Sequence, residues 1–274
     1  MTEPRSRGRP RAFHDKTEQN TVQSLDRALS ILNVLAQGTG HTLTELANAS
    51  GQAPATVYRV LCTFQTHGFV ELDQDAQRWY IGAGAFRTGS AFLRRTRLAD
   101  RARSVMENLM RESGETANLG VEDRDEVLFL TQVETHEAIR AFFPPGTRSP
   151  MHVSGIGKAL LAHYDPVRRQ TIAHRGLPGF TPASLTEYRC LEDDLVLVRQ
   201  RGYAIDNEER TTGMRCIAAP IFNAHREPVA GLSISGPVFR LTLDRATEMG
   251  EIVRRAAQNV TDATGGRPPD QNLT

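Results

Sequence analysis

The 274-residue sequence has few cysteines, no long apolar run and no apolar leader. Its three cysteines, Cys62, Cys190 and Cys216, are spaced too irregularly for a disulfide framework or a zinc site, which predicts a reducing compartment. No apolar stretch approaches the roughly 20 residues that a membrane helix needs, and the N-terminus lacks the apolar core of a signal peptide. We therefore expect a cytoplasmic protein that has no membrane partner.

Catalytic and metal-binding patterns are also missing. The eight histidines show no paired or i, i+4 spacing, so no metal site is expected. Cys216 lies in a strand-like run, "TTGMRCIAAP", and no motif joins it to His152, His163 or His174 as a nucleophile to its base. The cysteine also lacks the helix start or facing cation that lowers a thiol pKa. We expect neither an enzyme nor a cofactor.

Charge is divided unevenly along the chain. Residues 1–103 hold 14 Lys and Arg against 9 Asp and Glu, whereas the remaining residues hold 19 against 23. A basic segment followed by a mildly acidic one is typical of a nucleic-acid-binding module joined to a separate partner domain. The first 20 residues are polar and contain several arginines, which predicts a disordered basic arm.

Residues 21–82 predict a winged helix-turn-helix. Leu25, Ala28, Leu29, Leu32 and Leu35 fall on one face of a helix that ends near Gly38. "TLTELANASG" predicts a short helix capped by Thr42, and "APATVYRVLCTFQTHG" a third helix whose buried stripe includes Val57 and Leu61. "FVELDQDAQRWYI" alternates around a polar centre, as a hairpin does. Three short helices and a hairpin describe this DNA-binding fold.

The third helix is the predicted DNA-reading element. A 100° rotation per residue turns five side chains away from its buried stripe, where they can reach a DNA groove or backbone: Ala55, Thr56, Tyr58, Arg59 and Thr63. A guanidinium bonds bidentately to guanine, so Arg59 is the first candidate for a base or phosphate contact. Arg78 is the candidate on the wing. A helical domain used for protein contacts is the alternative.

The second half predicts an α+β domain with an antiparallel sheet. Residues 83–99 form a predicted linker helix, and residues 100–264 alternate strands with helices. Strands are expected at 116–122 and 126–134 and in "YAID", "MRCIAAPIF" and "VAGLSISG"; helices are expected in "VSGIGKALLAH", "SLTEYRCLEDDLVLVRQRG" and "LTLDRATEMGEIVRRAAQNVTDAT". Residues 265–274 are predicted to be a disordered tail.

Several segments resemble the isocitrate lyase regulator (IclR) family of bacterial transcription factors. They are "SLDRALSILNVLA", "ATVYRVLCTFQTHGFV", "MHVSGIGKALLA", "GYAIDNEER", "MRCIAAPIF" and "VAGLSISGP", followed by Arg240. Their order and spacing cover about residues 20–263. The resemblance implies a GAF-like second domain that binds a small effector, double-stranded operator DNA as partner, and a homodimer or a tetramer built as a dimer of dimers. The effector contacts that it implies are Gly155, Ile156, Asp206, Cys216, Ser233 and Ser235.

The residue chemistry of these positions is compatible with a small carboxylic acid. Ser233 and Ser235 are two apart on a strand, so both hydroxyls face the same side, and the amides at residues 155–157 would open a helix and favour a carboxylate. Asp206 would repel an anion unless one partner supplies a proton or a hydroxyl donor. A 2-oxo acid that hydrates to a gem-diol meets this condition, with glyoxylate first and pyruvate next.

Other interpretations remain open at this point. The effector could be an aromatic acid such as protocatechuate, or Cys216 could act as a redox switch. Each position also has a purely structural interpretation, because serines satisfy strand bonds, Asp206 could cap a turn, and a buried cysteine is usually a small apolar side chain.

Overall fold

The computed structural model describes residues 21–96 and 98–269. The contacts divide the chain after Arg94 into two compact units, which are described in turn. The predicted N-terminal arm and residues 270–274 of the predicted tail lie outside the described residues. Within the described residues, no helix is both long enough and apolar enough to span a membrane.

The first unit contains three helices, a two-stranded hairpin and most of a fourth helix. Helix α1 spans Gln23–Ala36, α2 Leu43–Ser50 and α3 Pro54–Thr66, and the hairpin pairs β1 (Val70–Asp73) with β2 (Arg78–Ile81). Helix α4 (Ala83–Thr96) follows the hairpin. One apolar cluster holds the unit together, and its buried members are Ile31, Leu35, Leu46, Ala47, Val57, Leu61, Val70 and Trp79. The predicted helix order and hairpin are confirmed.

The cap of α2 explains why a short helix begins at this point. Thr42 Oγ1 accepts a hydrogen bond from the Glu45 amide at 3.2 Å, and the Glu45 carboxylate accepts one from the Thr42 amide at 2.8 Å. This reciprocal pair satisfies two amides that the helix start would otherwise leave without partners. The prediction of Thr42 as the cap is confirmed.

The predicted face of α1 was only partly correct. Ile31 and Leu35 are buried, whereas Leu25 and Leu29 are 56% and 47% exposed within the chain. The buried positions and the exposed positions lie on faces of the helix that are part of a turn apart, and each face carries leucines. A count of apolar residues at helical spacing could not decide which of the two faces the core.

The second unit is built on a six-stranded antiparallel sheet. Its strands are β3 (Thr116–Asp123), β4 (Glu126–Val133), β5 (Arg148–Pro150), β6 (Ala204–Asn207), β7 (Met214–Phe222) and β8 (Pro228–Pro237), in the spatial order β5-β4-β3-β8-β7-β6. The central strands β3 and β8 are far apart in sequence and pair directly. The predicted α+β architecture with an antiparallel sheet is confirmed.

Helices cover both faces of this sheet. On one face, α5 (Leu98–Ser113) and α9 (Ala246–Ala263) pack against β3 and β7. On the other face lie a 3-10 turn (Met151–Val153), α6 (Gly155–Leu161) and α8 (Tyr188–Arg201), while α7 (Pro166–His174) contributes Ile172 to the core on that side. Gly202, at φ 79°, ends α8 as the sequence predicted. The sequence did not predict α7 or β5, and it started α9 several residues too early.

Candidate functional site

The exposed face of α3 carries the residues predicted to contact DNA. Ala55, Thr56, Tyr58, Arg59 and Thr63 are all exposed, and Val57 and Leu61 on the opposite face are fully buried. Pro54 occupies the first turn, where its missing amide hydrogen costs no helical bond. The structure thus places the five side chains together on one surface of the first unit, as required for a DNA-reading helix.

Arg78 begins β2, next to the turn of the hairpin. Its guanidinium donates to the Gly40 carbonyl at 2.9 Å and lies 3.4 Å from the Glu45 carboxylate. The Thr42 amide lowers the pKa of Glu45, and Arg78 contributes in the same direction. Arg78 therefore joins the wing to the start of α2, and a DNA contact by the same guanidinium stays a prediction.

The predicted effector residues of the sheet are neighbours across three strands. Asp206 on β6 pairs with Cys216 on β7, and Cys216 pairs in turn with Ser235 on β8. Ser233 on β8 pairs with Ala218 on β7. Directly paired residues of an antiparallel sheet point to the same face, so all these side chains lie on one surface.

The beginning of α6 covers this surface. Ser154 caps the helix, accepting a hydrogen bond from the Gly157 amide at 3.3 Å. A Cβ added to Gly155 would lie 2.9 Å from Cys216 Sγ, so only glycine permits this approach of helix to strand. Ile156 packs into the space left by Gly231 and Gly120. The structure therefore brings together all six residues of the predicted effector site.

The Cys216 thiol is held in its protonated form. Burial raises its pKa to about 11, and the Asp206 carboxylate adds to the shift. Hydrogen bonds from Ser235, Ser233 and the Gly155 amide oppose it only in part. Arg215 points to the opposite face, where it bonds Asn207 Oδ1 at 2.9 Å. This environment lacks the activating cation of a reactive cysteine.

Asp206 has a structural role as well as its predicted contact role. Its carboxylate accepts a hydrogen bond from the Glu209 amide at 2.8 Å and so closes the turn after β6. Burial raises the pKa of Asp206 to about 6, against the opposing effect of Lys158. Asp206 thus caps a turn that follows Asn207, and the Arg210 amide is a further donor to the same carboxylate. The effector contact of Asp206 stays a prediction.

Lys158 was not among the predicted site residues, although it belongs to the "SGIGK" segment at the start of α6. Its ammonium group is fully buried, 2.6 Å from Glu209, 2.9 Å from Asp194 and 2.6 Å from the Ile205 carbonyl. Burial disfavours the charged form, but the two carboxylates outweigh it and raise the pKa of Lys158. Lys158 therefore ties α6 to α8 and to the turn that holds Asp206.

The histidines considered as catalytic partners make other contacts. The His152 ring bonds the Pro178 carbonyl at 3.0 Å, and the His163 ring packs edge-on against Phe222. Burial lowers the pKa of His163 to about 4. Among the described residues, no group of three or more His, Cys, Asp or Glu side chains is placed to hold a metal ion.

Two family profiles match the chain. The profile described as the bacterial transcriptional regulator IclR C-terminal domain matches residues 90–262, and the IclR helix-turn-helix domain matches residues 24–74. The chain belongs to the IclR family. Its members that resemble this chain are transcriptional regulators and not enzymes.

Individual relatives agree with this placement. The IclR-family chain is 51% identical to the HTH-type transcriptional regulator BhcR of Paracoccus denitrificans, over 94% of both chains. It is 43% identical to the transcriptional repressor IclR of Escherichia coli, over 96% of this chain and 97% of the relative. A crystal structure of an IclR homologue from Microbacterium hydrocarbonoxydans, complexed with 4-hydroxybenzoate, matches with a TM-score of 0.77 and 26% identity, over 88% of this chain and 98% of that chain.

Proposed function

We propose that this IclR-family regulator binds operator DNA through α3 and that a small carboxylic acid controls this binding. The observation that carries the effector part is the convergence of Cys216, Ser233 and Ser235 on one sheet face directly below the start of α6. Such a surface offers serine hydroxyl groups to a ligand carboxylate, together with the Gly155 amide if the ligand replaces Cys216 as its acceptor. Glyoxylate is the favoured effector, and pyruvate is next.

Asp206 supports an effector that also carries a hydroxyl donor. With a pKa of about 6, Asp206 is mostly ionised at neutral pH and would repel a simple anion. A hydrated 2-oxo acid can direct its carboxylate to the hydroxyls and amides while one gem-diol hydroxyl donates to Asp206. The proposed class of effector thus resolves the charge conflict inside the site.

The close approach of Gly155 to Cys216 favours a small ligand over an aromatic acid. Aromatic acids are the second candidate class of effector, because a solved relative binds 4-hydroxybenzoate. A redox function of Cys216 is less favoured, since a thiol with a pKa of about 11 holds almost no thiolate at neutral pH.

The proposed organisation follows the sequence boundaries. Residues 21–82 form the DNA-binding domain, residues 83–99 the linker, and residues 100–264 the GAF-like effector domain. The linker consists of α4 and the first residues of α5 and is not a single helix. The protein acts in the cytoplasm as a homodimer or a dimer of dimers. Effector binding changes the spacing of the two α3 helices in the dimer and thereby the affinity for paired half-sites.

A thermal-shift screen tests the effector class. Glyoxylate and pyruvate are compared with protocatechuate and 4-hydroxybenzoate, because a ligand that binds the native state raises its melting temperature. Stabilisation by the 2-oxo acids and not by the aromatic acids is expected. The reverse order would replace the 2-oxo acids by the aromatic class.

Gel shifts with a DNA site selected in vitro test the reading helix. Arg59→Ala is expected to weaken specific binding about 10- to 100-fold, the usual cost of a lost bidentate base contact. Arg103→Ala, an exposed arginine of α5, is the matched control and should bind normally. Asp206→Ala should still bind DNA but respond weakly to the effector. Normal DNA binding by Arg59→Ala would refute the assignment of α3.

A further inference from the structure

The candidate effector surface continues onto a fourth strand through Asn118. Asn118 lies on β3, pairs directly with Ser233 on β8, and is fully buried. Its side-chain amide nitrogen is 3.2 Å from Ser235 Oγ and 3.5 Å from Ser233 Oγ. The carboxamide therefore points at both serines of the proposed site, although Asn118 lies outside the motifs that supplied the predicted effector contacts.

One polar atom of this carboxamide lacks a partner. Among the described residues, Asn118 Oδ1 is buried and accepts no hydrogen bond. The Ser233 and Ser235 hydroxyls donate to the Cys216 sulfur, so their oxygens accept from the Asn118 amide nitrogen, and Oδ1 is the end left without a partner. A buried polar group without a partner is costly, and a bound ligand that donates a hydrogen bond would remove this cost.

The position of Asn118 defines the ligand group that would complete it. β6, with Asp206, and β3, with Asn118, flank the central strands β7 and β8 on opposite sides. A small acid seated on Cys216 and Ser235 therefore has a hydrogen-bond acceptor on each side. Asn118 Oδ1 needs a donor, and an anionic carboxylate has none.

We propose that Asn118 is a specificity-determining contact of the effector site and accepts a hydrogen bond from a hydroxyl group on the carbon next to the ligand carboxylate. The inference rests on the proposed function. A hydrated 2-oxo acid has two hydroxyls on that carbon, one for Asp206 and one for Asn118, whereas a 2-hydroxy acid has one and a simple carboxylic acid has none. The expected order of affinity is therefore hydrated 2-oxo acid, 2-hydroxy acid and simple acid of equal size.

The test uses ligand pairs that differ by a single hydroxyl. Affinities of the full-length protein are measured by calorimetry for glycolate against acetate and for lactate against propionate, with glyoxylate as reference. The wild type should prefer the hydroxylated member of each pair. Asn118→Leu, a substitution of similar shape, should reduce that preference about three- to tenfold, the usual value of one hydrogen bond.

Two further variants make the result decisive. Asn118→Ala should reduce the preference in the same way and serves if the leucine variant does not fold. Asn259→Ala, an exposed asparagine of α9, is the matched control and should leave all affinities unchanged. A melting curve without ligand establishes that each variant is folded.

The possible outcomes separate the two proposals. An unchanged preference in the Asn118 variants overturns the inference, as does an equal loss of affinity for both members of each pair, which marks a purely structural role. If the wild type binds aromatic acids but none of these small acids, the proposed effector class fails, and this inference fails with it.

Discussion

At the scale of single residues, Asp206 is both a proposed effector contact and a residue whose buried charge lowers the stability of the folded protein. Its buried carboxyl keeps a proton up to about pH 6, whereas an aspartate of the unfolded chain releases it near about pH 4. Between these values the folded state binds more protons than the unfolded state, so the contribution of Asp206 to stability falls as the pH rises. Above about pH 6, burial of the ionised Asp206 carboxylate lowers the free energy of unfolding by its full amount.

Asp206→Asn is therefore expected to stabilise the ligand-free protein at high pH. The amide oxygen still accepts from the Glu209 amide, and the buried charge is removed. We expect a gain of about 1–3 kcal/mol in the free energy of unfolding at pH 8 and little change at pH 4. Urea unfolding at both values measures it. An equal effect at both pH values would show that ionisation of Asp206 has no part in stability.

The protonated thiol of Cys216 gives a second prediction at this scale. At pH 7.5, well under about 1% of this cysteine is thiolate, so iodoacetamide should modify exposed Cys190 at least about tenfold faster. Peptide mass spectrometry after timed labelling measures both rates. Labelling of Cys216 as fast as Cys190 would revive the redox interpretation.

The sequence indicated most of the candidate site at this scale but not its supporting groups. Strand alternation placed Ser233 and Ser235 on one face of β8, and the family resemblance supplied all six effector positions. The register of β7 and β8 is what sets Cys216 beside Ser235. Lys158 and Asn118 escaped notice because their importance comes from burial and from partners distant in sequence. Asn118 meets Ser235 across 117 positions, and no local pattern records such a pair.

At the scale of secondary-structure elements, Lys158 anchors the helix that covers the site. Lys158→Met would leave Glu209 and the partly buried Asp194 without a buried cation, and removing one member of such a pair costs about 3–5 kcal/mol. Chemical unfolding should show this loss. Glu209→Gln added to Lys158→Met should recover part of it.

The control for this prediction is an exposed ion pair of the same domain. Arg254 lies 2.7 Å from Glu251 on α9, with both side chains about half exposed. Arg254→Met should change the free energy of unfolding by less than about 1 kcal/mol. A Lys158→Met variant as stable as Arg254→Met would mean that α6 does not depend on the buried ion pair.

Helices and strands were predicted well where neighbouring residues in the sequence determine them, and poorly where distant partners do. The Thr42 cap, the Gly202 stop and strand β7 depend on neighbouring residues, and the sequence located them well. Strand β5 has three residues and lies at the edge of the sheet beside β4, so its formation depends on a partner and not on its own pattern. The buried face of α1 was misjudged for the same reason, since α2 and α3 select it.

At the scale of the whole molecule, the two proposed binding activities should differ in their response to salt. The basic N-terminal part would bind phosphates, and raising salt from about 50 to 200 mM should weaken operator binding at least about 100-fold. The effector residues are largely buried, so effector affinity should change less than about twofold over the same range. Fluorescence anisotropy and calorimetry measure the two affinities. Equal salt dependence would indicate an exposed effector site.

The pairing of β3 with β8 also determines when during folding an effector can bind. Residues 116–120 and 231–235 must meet before Asn118 and the two serines stand side by side. Because closing so long a loop is entropically costly, we expect this pairing to form after the rate-limiting step of folding. An effector that recognises this surface should leave the refolding rate almost unchanged and slow unfolding in proportion to its occupancy. Because it unfolds more slowly, the effector-bound regulator would resist proteolysis for as long as the effector is present.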